Sequence, residues 1–522
     1  MKRVLTASEM REIDRLTVEE AGVSSLLLME NAAAQVVRAL ESEFAPLGEH
    51  RVVVLSGKGA NGGDGLAIAR QLLVQGLAAE VQVALVADPS ELRGDTAANW
   101  RMAEGVGVPM TVVPDWAGWQ GFREQVMRAT LVVDALLGTG LEGAARGLVG
   151  DVIEDLGRNF GHVSFAAVDL PSGMPSDGGD LSERRCPADL TVTFTAPKIS
   201  QVVAPGCDHL GTLRVVPIGT PERLIDRLEG APLCLLEASE AEALCRPRKT
   251  GSHKGSFGHV GVVGGSRAKP GAAIMAGMAA ARAGAGLTTV VTAETATSSV
   301  VAAAPELMTV PVAESEDGSM DATAFDFGIL DGFSVLVVGP GFGVGNDAIR
   351  LCQRLVRDST RPMVVDADGI TALSRESEWS SGSAVLVLTP HPGEMARLLG
   401  TTAATVQADR IGVARRFAAE RDAYVVLKGA RTVVAAPDGR VFINPTGGPG
   451  MATGGSGDVL AGMIGGLLAQ FPGVDPVLVI GGAVYLHGLA GDLATARQGE
   501  QAMLATDILE FLPQAVQCVR RG

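Results

Sequence analysis

The chain reads as an α/β protein of two domains, each built on a buried, mostly parallel sheet. Three observations predict this. Short runs rich in valine, leucine and isoleucine recur at helix-length intervals, the pattern of strands buried on both faces and joined by crossover helices. The alternation stops once, between about Thr220 and Glu237, where proline, glycine and charged residues take over, and then resumes. At 522 residues the chain exceeds what one core serves, and its 47% hydrophobic and 4% aromatic content asks for small branched side chains on closely packed elements.

An N-terminal helix is expected after Thr6, which has Glu9 three residues on, the spacing of a capping box. Strands follow in RVVVLS from Arg51, EVQVALV from Glu80, TLVVDA from Thr130, VSFAAVDL from Val163 and LTVTFT from Leu190. The second series comprises HVGVVGG from His259, TTVVT from Thr288, SVLVVG from Ser334, PMVVDAD from Pro362, AVLVLTP from Ala384 and AYVVLKG from Ala423. TVVAAPDGRVFI adds a hairpin turning at Asp438-Gly439. The domains are accordingly expected over residues 1–225 and 226–522.

A net charge of −16 disfavours a surface built to neutralise nucleic-acid phosphates. The six cysteines, Cys186, Cys207, Cys234, Cys245, Cys352 and Cys518, form no CxxC pair and have no histidine at zinc-ligand spacing, so they are read as reduced thiols. The start, MKRVLTASEMREIDRL, lacks the apolar stretch of a secretion signal, and no uninterrupted run of about 20 apolar residues offers a membrane span. A soluble cytoplasmic protein is expected, with small-molecule partners, without nucleic-acid or membrane partners, and as a homo-oligomer.

Two glycine-rich clusters mark the functional regions: SGKGANGGDGLAIA from Ser56 and NPTGGPGMATGGSGDVLAGMIGGLL from Asn444. Both follow a strand and launch a helix, where open parallel sheets bind ligands. In the first, Gly57, Gly59 and Gly62 satisfy G-x-G-x-x-G, a weak signal alone, and Gly59 after Lys58 excludes a P-loop. Asn61 and Asp64 fall at the start of the helix, whose free N–H groups suit a ligand phosphate or Asp64 itself; a bare helix cap explains Asp64 equally well. Asp134 ends a second strand before the turn Gly138-Thr139-Gly140, and Asp169 ends a third before Pro171, Ser172 and Gly173. Carboxylate, amide and hydroxyl oxygens converging in one crevice suit a hard cation, with a carboxylate left over for proton transfer. Three unrelated caps would give the same residues; the shared site is the preferred reading.

These motifs, with LLMENAA from Leu27 and FTAPKIS from Phe194, resemble the NAD(P)H-hydrate epimerase family over nearly the whole first half. The resemblance implies a Rossmann-like three-layer αβα sandwich. It implies a potassium ion held by Asn61, Asp134 and Ser172. The hydrated nucleotide would contact Ala60, Asn61, Gly62, Gly63 and Asp64, then Gly138, Thr139, Gly140, Leu141, Glu142, Gly143 and Ala144, and Asp169. Ala60 stands where a second asparagine is common in that family. Asp169 is expected to supply the acid–base function.

In the second cluster, Gly455, Ser456 and Gly457 can present backbone N–H groups to a phosphate, and Asp458 follows at the helix start. This G-x-G-D resembles the anion-hole motif of ribokinase-like enzymes, in which the aspartate is the base; a tight turn with a capping aspartate is the bland alternative. SHKGSFGHVGVVGGS from Ser252, PGAAIMAGMAAARAGAGL from Pro270, VVGPGFG from Val337, LTPHPGEMARLLG from Leu388 and VVLKGARTV from Val425 together resemble ADP-dependent NAD(P)H-hydrate dehydratases. That resemblance implies a ribokinase-like α/β domain. Ala272, Gly341 or Gly343, His391 and Asp458 would face the hydrated nicotinamide nucleotide. Lys428, Gly429, Ala430, Arg431, Thr432 and Gly457 would hold ADP with Mg²⁺. A vitamin or sugar kinase fused to a Rossmann-like domain, and a catalytically inactive nucleotide-binding scaffold, are the competing readings. ADP against ATP, and NADH hydrate against NADPH hydrate, stay open.

Overall fold

The computed structural model describes residues 2–141, 143–179, 184–376 and 378–521. The chain forms two compact units, Arg3–Gly230, and Ala231–Gly522 together with Met1–Lys2.

In the first unit the expected N-terminal helix, Ala7–Glu19, is capped by Thr6 and Glu9 reciprocally. Seven strands follow: β1 (Arg51–Ser56), β2 (Glu80–Leu85), β3 (Met110–Val112), β4 (Leu131–Ala135), β5 (Ser164–Val168), β6 (Leu190–Phe194) and β7 (Thr212–Val216). They pair in parallel in the order β3-β2-β1-β4-β5-β6-β7. The order reverses between β1 and β4, so the first glycine turn and Asp134 flank the switch point of the sheet. Alternation along β1 explains its burial on both faces. Val52 and Val54 pack with Val36, Leu40 and Leu66 on one side. Val53 and Leu55 pack with Trp119, Ile153 and Phe160 on the other. This is the three-layer αβα arrangement.

The second unit contains β8 (Leu233–Leu235), β9 (His259–Val263), β10 (Leu287–Ala293), β11 (Met308–Val312), β12 (Val335–Val338), β13 (Met363–Val365), β14 (Leu386–Leu388), β15 (Tyr424–Leu427), β16 (Val433–Ala435) and β17 (Val441–Ile443). These lie in the order β8-β17-β16-β15-β14-β13-β12-β9-β10-β11. Among these ten strands only β15-β16 and β16-β17 are antiparallel pairs, the second being the hairpin expected at Asp438-Gly439. The switch point falls between β9 and β12, whose loops touch: Gly265 N–H donates to the Pro340 carbonyl at 2.8 Å.

Helix Ser456–Gln470, launched from the second cluster, lies against helix Pro270–Arg282 at the closest approach backbones allow. A Cβ on Gly462 would sit 2.0 Å from the Ala276 carbonyl oxygen, and one on Gly466 2.6 Å from that of Ala280. These glycines serve helix packing. Helix Pro476–Gln498 is long and apolar enough to cross a membrane, but 72% of its apolar window is buried inside the unit, as in a core helix.

Candidate active sites

The loops after β1, β4 and β5 open into one cavity of about 980 Å³ lined by Ala60, Asn61, Asp64, Gly138, Thr139, Gly140, Leu141 and Asp169. Other expected contacts lie elsewhere. A Cβ on Gly62 would fall 1.8 Å from the Gly57 carbonyl oxygen, and one on Gly63 2.7 Å from Met29 Sδ, so both let helix Ala60–Gln75 close onto its neighbours and neither lines the cavity. Ala144 lines a separate cavity with Arg146 and Arg158, Gly143 lines neither, and Glu142 lies outside the described residues.

Asp169 is an L residue at φ +66, a conformation held only where the surroundings impose it. Its Oδ1 accepts from Lys198 Nζ at 2.5 Å and from Thr193 Oγ1 at 2.9 Å. Gln201 Nε2 donates to its carbonyl at 2.7 Å. Lys198 is 1% exposed and also donates to Thr193 Oγ1 at 2.7 Å, so the ammonium is buried against its counter-charge. Asp64 is not a helix cap. Gly59 holds that position, and Asp64 lies a turn further in, where burial, Asp169 and Asp14 push it well above the usual carboxylate range.

Asn61, Asp134 and Ser172 do meet. Ser172 donates through Oγ to Asp134 Oδ1 at 2.6 Å and through its backbone N–H to Oδ2 at 2.7 Å. Asn61 Nδ2 donates to the Leu137 carbonyl at 3.0 Å, and Leu137 N–H donates to Ser172 Oγ at 2.8 Å. Asp134 is wholly buried; burial pushes its pKa up, against the hydrogen bonds from Ser172 and Leu136. Among the described residues no basic side chain pairs with it. A buried, unpaired carboxylate beside amide, hydroxyl and carbonyl oxygens fits a hard monocation.

In the second unit Asp458 lies in the first turn of its helix, after Gly455 at φ +100. Burial, and after it the charge of Asp366, pushes Asp458 up to about 7, with Lys428 pulling the other way. Lys428 Nζ bonds Asp366 Oδ1 at 2.6 Å and stands 3.8 Å from Glu394 Oε2. A Cβ on Gly457 would meet Lys428 Nζ at 3.1 Å, so this glycine lets the amine close on the helix start. Ala367, between Asp366 and Asp368, sits at φ +50. Asp368 pairs with Lys269 at 3.0 Å and accepts from Gly343 N–H at 3.0 Å. Gly341, at φ +63, has Lys269 and Ala272 as neighbours. His391 is exposed and caps helix Pro392–Leu399, its Nδ1 accepting from the N–H groups of Gly393 at 3.0 Å and Glu394 at 3.3 Å. Partial burial, Lys428 and Arg397 lower its pKa. Of the residues expected at ADP, Arg431 is held at φ +57, Gly429 and Ala430 are exposed, and Thr432 Oγ1 donates to the Gly429 carbonyl at 3.1 Å.

Sequence reasoning missed Asp14, Thr193, Lys198 and Gln201 in the first unit and Lys269, Asp366, Asp368 and Glu394 in the second. A signal existed for Asp366 and Asp368, which end a strand as Asp134 and Asp169 do. For Lys198 and Asp14 there was none, since their meeting with Asp169 is long-range. Among the described residues, no group of three His, Cys, Asp or Glu side chains forms a metal cage. Asp366, Asp368 and Glu394 are oxygen donors of the kind a Mg²⁺ carried on a ligand's phosphates accepts.

Fold and sites define a two-unit α/β protein in which an aspartate, Asp169 in one unit and Asp458 in the other, stands in a cluster of charged side chains at the carboxyl ends of the strands. Residues 25–200 match the family described as YjeF-related protein N-terminus, and residues 260–514 match NAD(P)H-hydrate dehydratase. The chain belongs to the bifunctional NAD(P)H-hydrate repair enzymes. It is 42% identical to the bifunctional NAD(P)H-hydrate repair enzyme Nnr of Moorella thermoacetica, over 98% of this chain and 96% of that one. To the enzyme of the same name from Thermofilum pendens it is 36% identical, over 99% and 97% of the two chains. A solved structure, the ADP/ATP-dependent NAD(P)H-hydrate dehydratase from Bacillus subtilis co-crystallised with ATP and Mg²⁺, is 30% identical and covers 55% of this chain and 98% of its own, with a TM-score of 0.48. Family membership replaces the kinase and scaffold readings.

Proposed function

We propose that the two units divide the repair of hydrated NADH and NADPH. The first, within residues 1–225, interconverts the R and S hydrates at C6. The second, within residues 226–522, dehydrates the S hydrate with ADP to the reduced cofactor, AMP and phosphate. The observation that carries this reading is the presence in one chain of two separate aspartates at the strand ends of their own sheets, Asp169 paired with the buried Lys198 and Asp458 under the charge of the half-buried Lys428.

In the first unit, the hydrate carries a hydroxyl on the carbon next to the ring nitrogen. Protonating it lets water depart with the push of the nitrogen lone pair, and water returning to the other face inverts the centre. Asp169 handles the proton, while Lys198 and Thr193 fix its carboxylate. Asn61, Asp134 and Ser172 would hold potassium, whose charge offsets Asp134. In the second unit, Asp458 takes the proton of the C6 hydroxyl as that oxygen bonds to the terminal phosphorus of ADP and the bond to AMP breaks. Phosphate then leaves with the push of the ring nitrogen, and loss of a proton from C5 to water forms the C5=C6 double bond of the reduced cofactor. Lys428 to Thr432 and Gly457 hold ADP, and Ala272, Gly341 or Gly343 and His391 face the nicotinamide. Mg²⁺ bound to the diphosphate, near Asp366, Asp368 and Glu394, would neutralise phosphate charge. The proposal includes a cytoplasmic homo-oligomer, which sedimentation of the full chain tests.

A mixture of both epimers with ADP provides the functional test. Wild type converts all of it; Asp169→Ala stalls once the S hydrate is consumed. Asp458→Ala recovers no reduced cofactor yet still interconverts the epimers. Loss of both activities from folded Asp458→Ala protein contradicts the division of labour.

A further inference from the structure

We infer that Asp14 is a second acid–base residue of the epimerisation, paired with Asp169 so that each carboxylate serves one face of the nicotinamide ring. The inference rests on the reading of the Asp169 cavity as the epimerisation site.

Helix Ala7–Glu19 turns Met10, Ile13 and Thr17 into the core, which directs Asp14, between them on the same face, inward. Asp14 lines both the cavity of about 980 Å³ and an adjoining one of about 440 Å³, in each case with Asp64 and Asp169. Its Oδ1 is sealed from solvent and has no hydrogen-bond partner among the described residues. A buried polar atom left unpaired calls for an explanation, and the carboxyl group that carries it stands in the wall of a cavity large enough for a ligand.

The chemistry requires such a group. The C6 hydroxyls of the two epimers project from opposite faces of the ring, so a proton must be delivered on one face and collected on the other. Asp169, with Lys198 and Thr193 donating to it, is equipped to collect. Asp14 is equipped to deliver: burial pushes it up to about 6, Asp169 adds to this, and Lys198 opposes it. Asp64 and Asp95 face it across the cavity, and Arg15 and Glu19 from its own helix. Arg11 joins them at the wider cavity. Two carboxyl groups with environments that differ in this way define an acid and a base. In the step, the Asp14 O–H protonates the C6 hydroxyl. The C6–O bond breaks, its electron pair leaving with water, and the nitrogen lone pair forms a C=N bond. Water adds to the other face of C6, the C=N pair returns to nitrogen, and the surplus proton passes to Asp169. The reverse epimerisation runs the same path backwards.

The test uses the full chain, with separated R and S hydrates and no ADP. Asp14→Asn should slow interconversion roughly 10²–10⁴-fold, the usual range for a general acid. ADP-driven dehydration of the S hydrate reports folding and should be unchanged. In wild type kcat/KM for interconversion falls as pH rises and Asp14 loses its proton; in Asp14→Asn that fall disappears. Wild-type rates in Asp14→Asn, with Asp169→Asn inactive, overturn the inference and leave the site reading standing; wild-type rates in both overturn the site reading itself. If Asp14→Asn does not fold, Asp14→Glu carries the test by moving the alkaline fall, and an unmoved profile overturns the inference.

Discussion

Asp458 works among three other carboxylates, Asp366, Asp368 and Glu394, and its value of about 7 reflects burial and their charge. In the proposed role of base it must first lose its proton, so kcat/KM for ADP-driven dehydration should rise through about pH 7 and then level. A flat profile between about pH 5.5 and 8.5 would count against that role. The same shift bears on stability. The folded value lies above the unfolded one of 3.8, so between the two the native state holds a proton that the unfolded chain has released. Stability of the ligand-free protein therefore falls as pH rises through the folded value. Asp458→Asn removes this loss. Its melting temperature should exceed that of wild type by more at pH 8 than at pH 5, as differential scanning calorimetry would read.

At the level of elements, glycine does two jobs that sequence cannot tell apart. Gly455 adopts φ +100 at the start of the Asp458 helix, a left-handed conformation that other residues rarely take. Gly62, in an apparent nucleotide fingerprint, instead lets a helix turn back onto Gly57. Gly62→Ala therefore sets a Cβ against a backbone carbonyl that cannot rotate away. It should destabilise the first unit by about 1–3 kcal/mol or more, reduce epimerisation in proportion to the unfolded fraction, and spare dehydration. Thermal melts paired with both assays check this. The same limit explains the strand record. β1, β4, β9 and β12 read clearly because both faces are buried and the apolar run is continuous. β3, β7 and β11 were missed because they are edge strands with exposed or half-buried positions, β11 carrying Pro311 as well. Sites follow suit in part: Asp134 and Asp169, at the ends of legible strands, were singled out, Asp366 and Asp368, at the end of another, were passed over, and Lys198 and Asp14 come from a loop and a helix whose meeting with Asp169 no local pattern announces.

At the scale of the whole chain, the stretch between the two sheets is less of a linker than its composition suggests. Within the region read as linker, Leu233–Leu235 forms β8, which pairs in parallel with β17 through Leu233↔Val441, Cys234↔Phe442 and Leu235↔Ile443. Leu233 is 8% exposed and Leu236 1%, and Leu236 N–H donates to the Ile443 carbonyl at 2.9 Å. A fragment of residues 226–522 keeps this strand and should dehydrate the S hydrate with ADP while leaving the R hydrate untouched. A fragment of residues 238–522 loses it. Burial of two leucines at roughly 1.5–3 kcal/mol each is forfeited, and Val441–Ile443 presents an unpaired apolar edge. The shorter fragment should melt lower and aggregate in sedimentation, although every residue assigned to its site is present. Equal melting temperatures for the two fragments would mean that β8 contributes nothing to the second unit, and that the chain between the sheets is the spacer its sequence resembles.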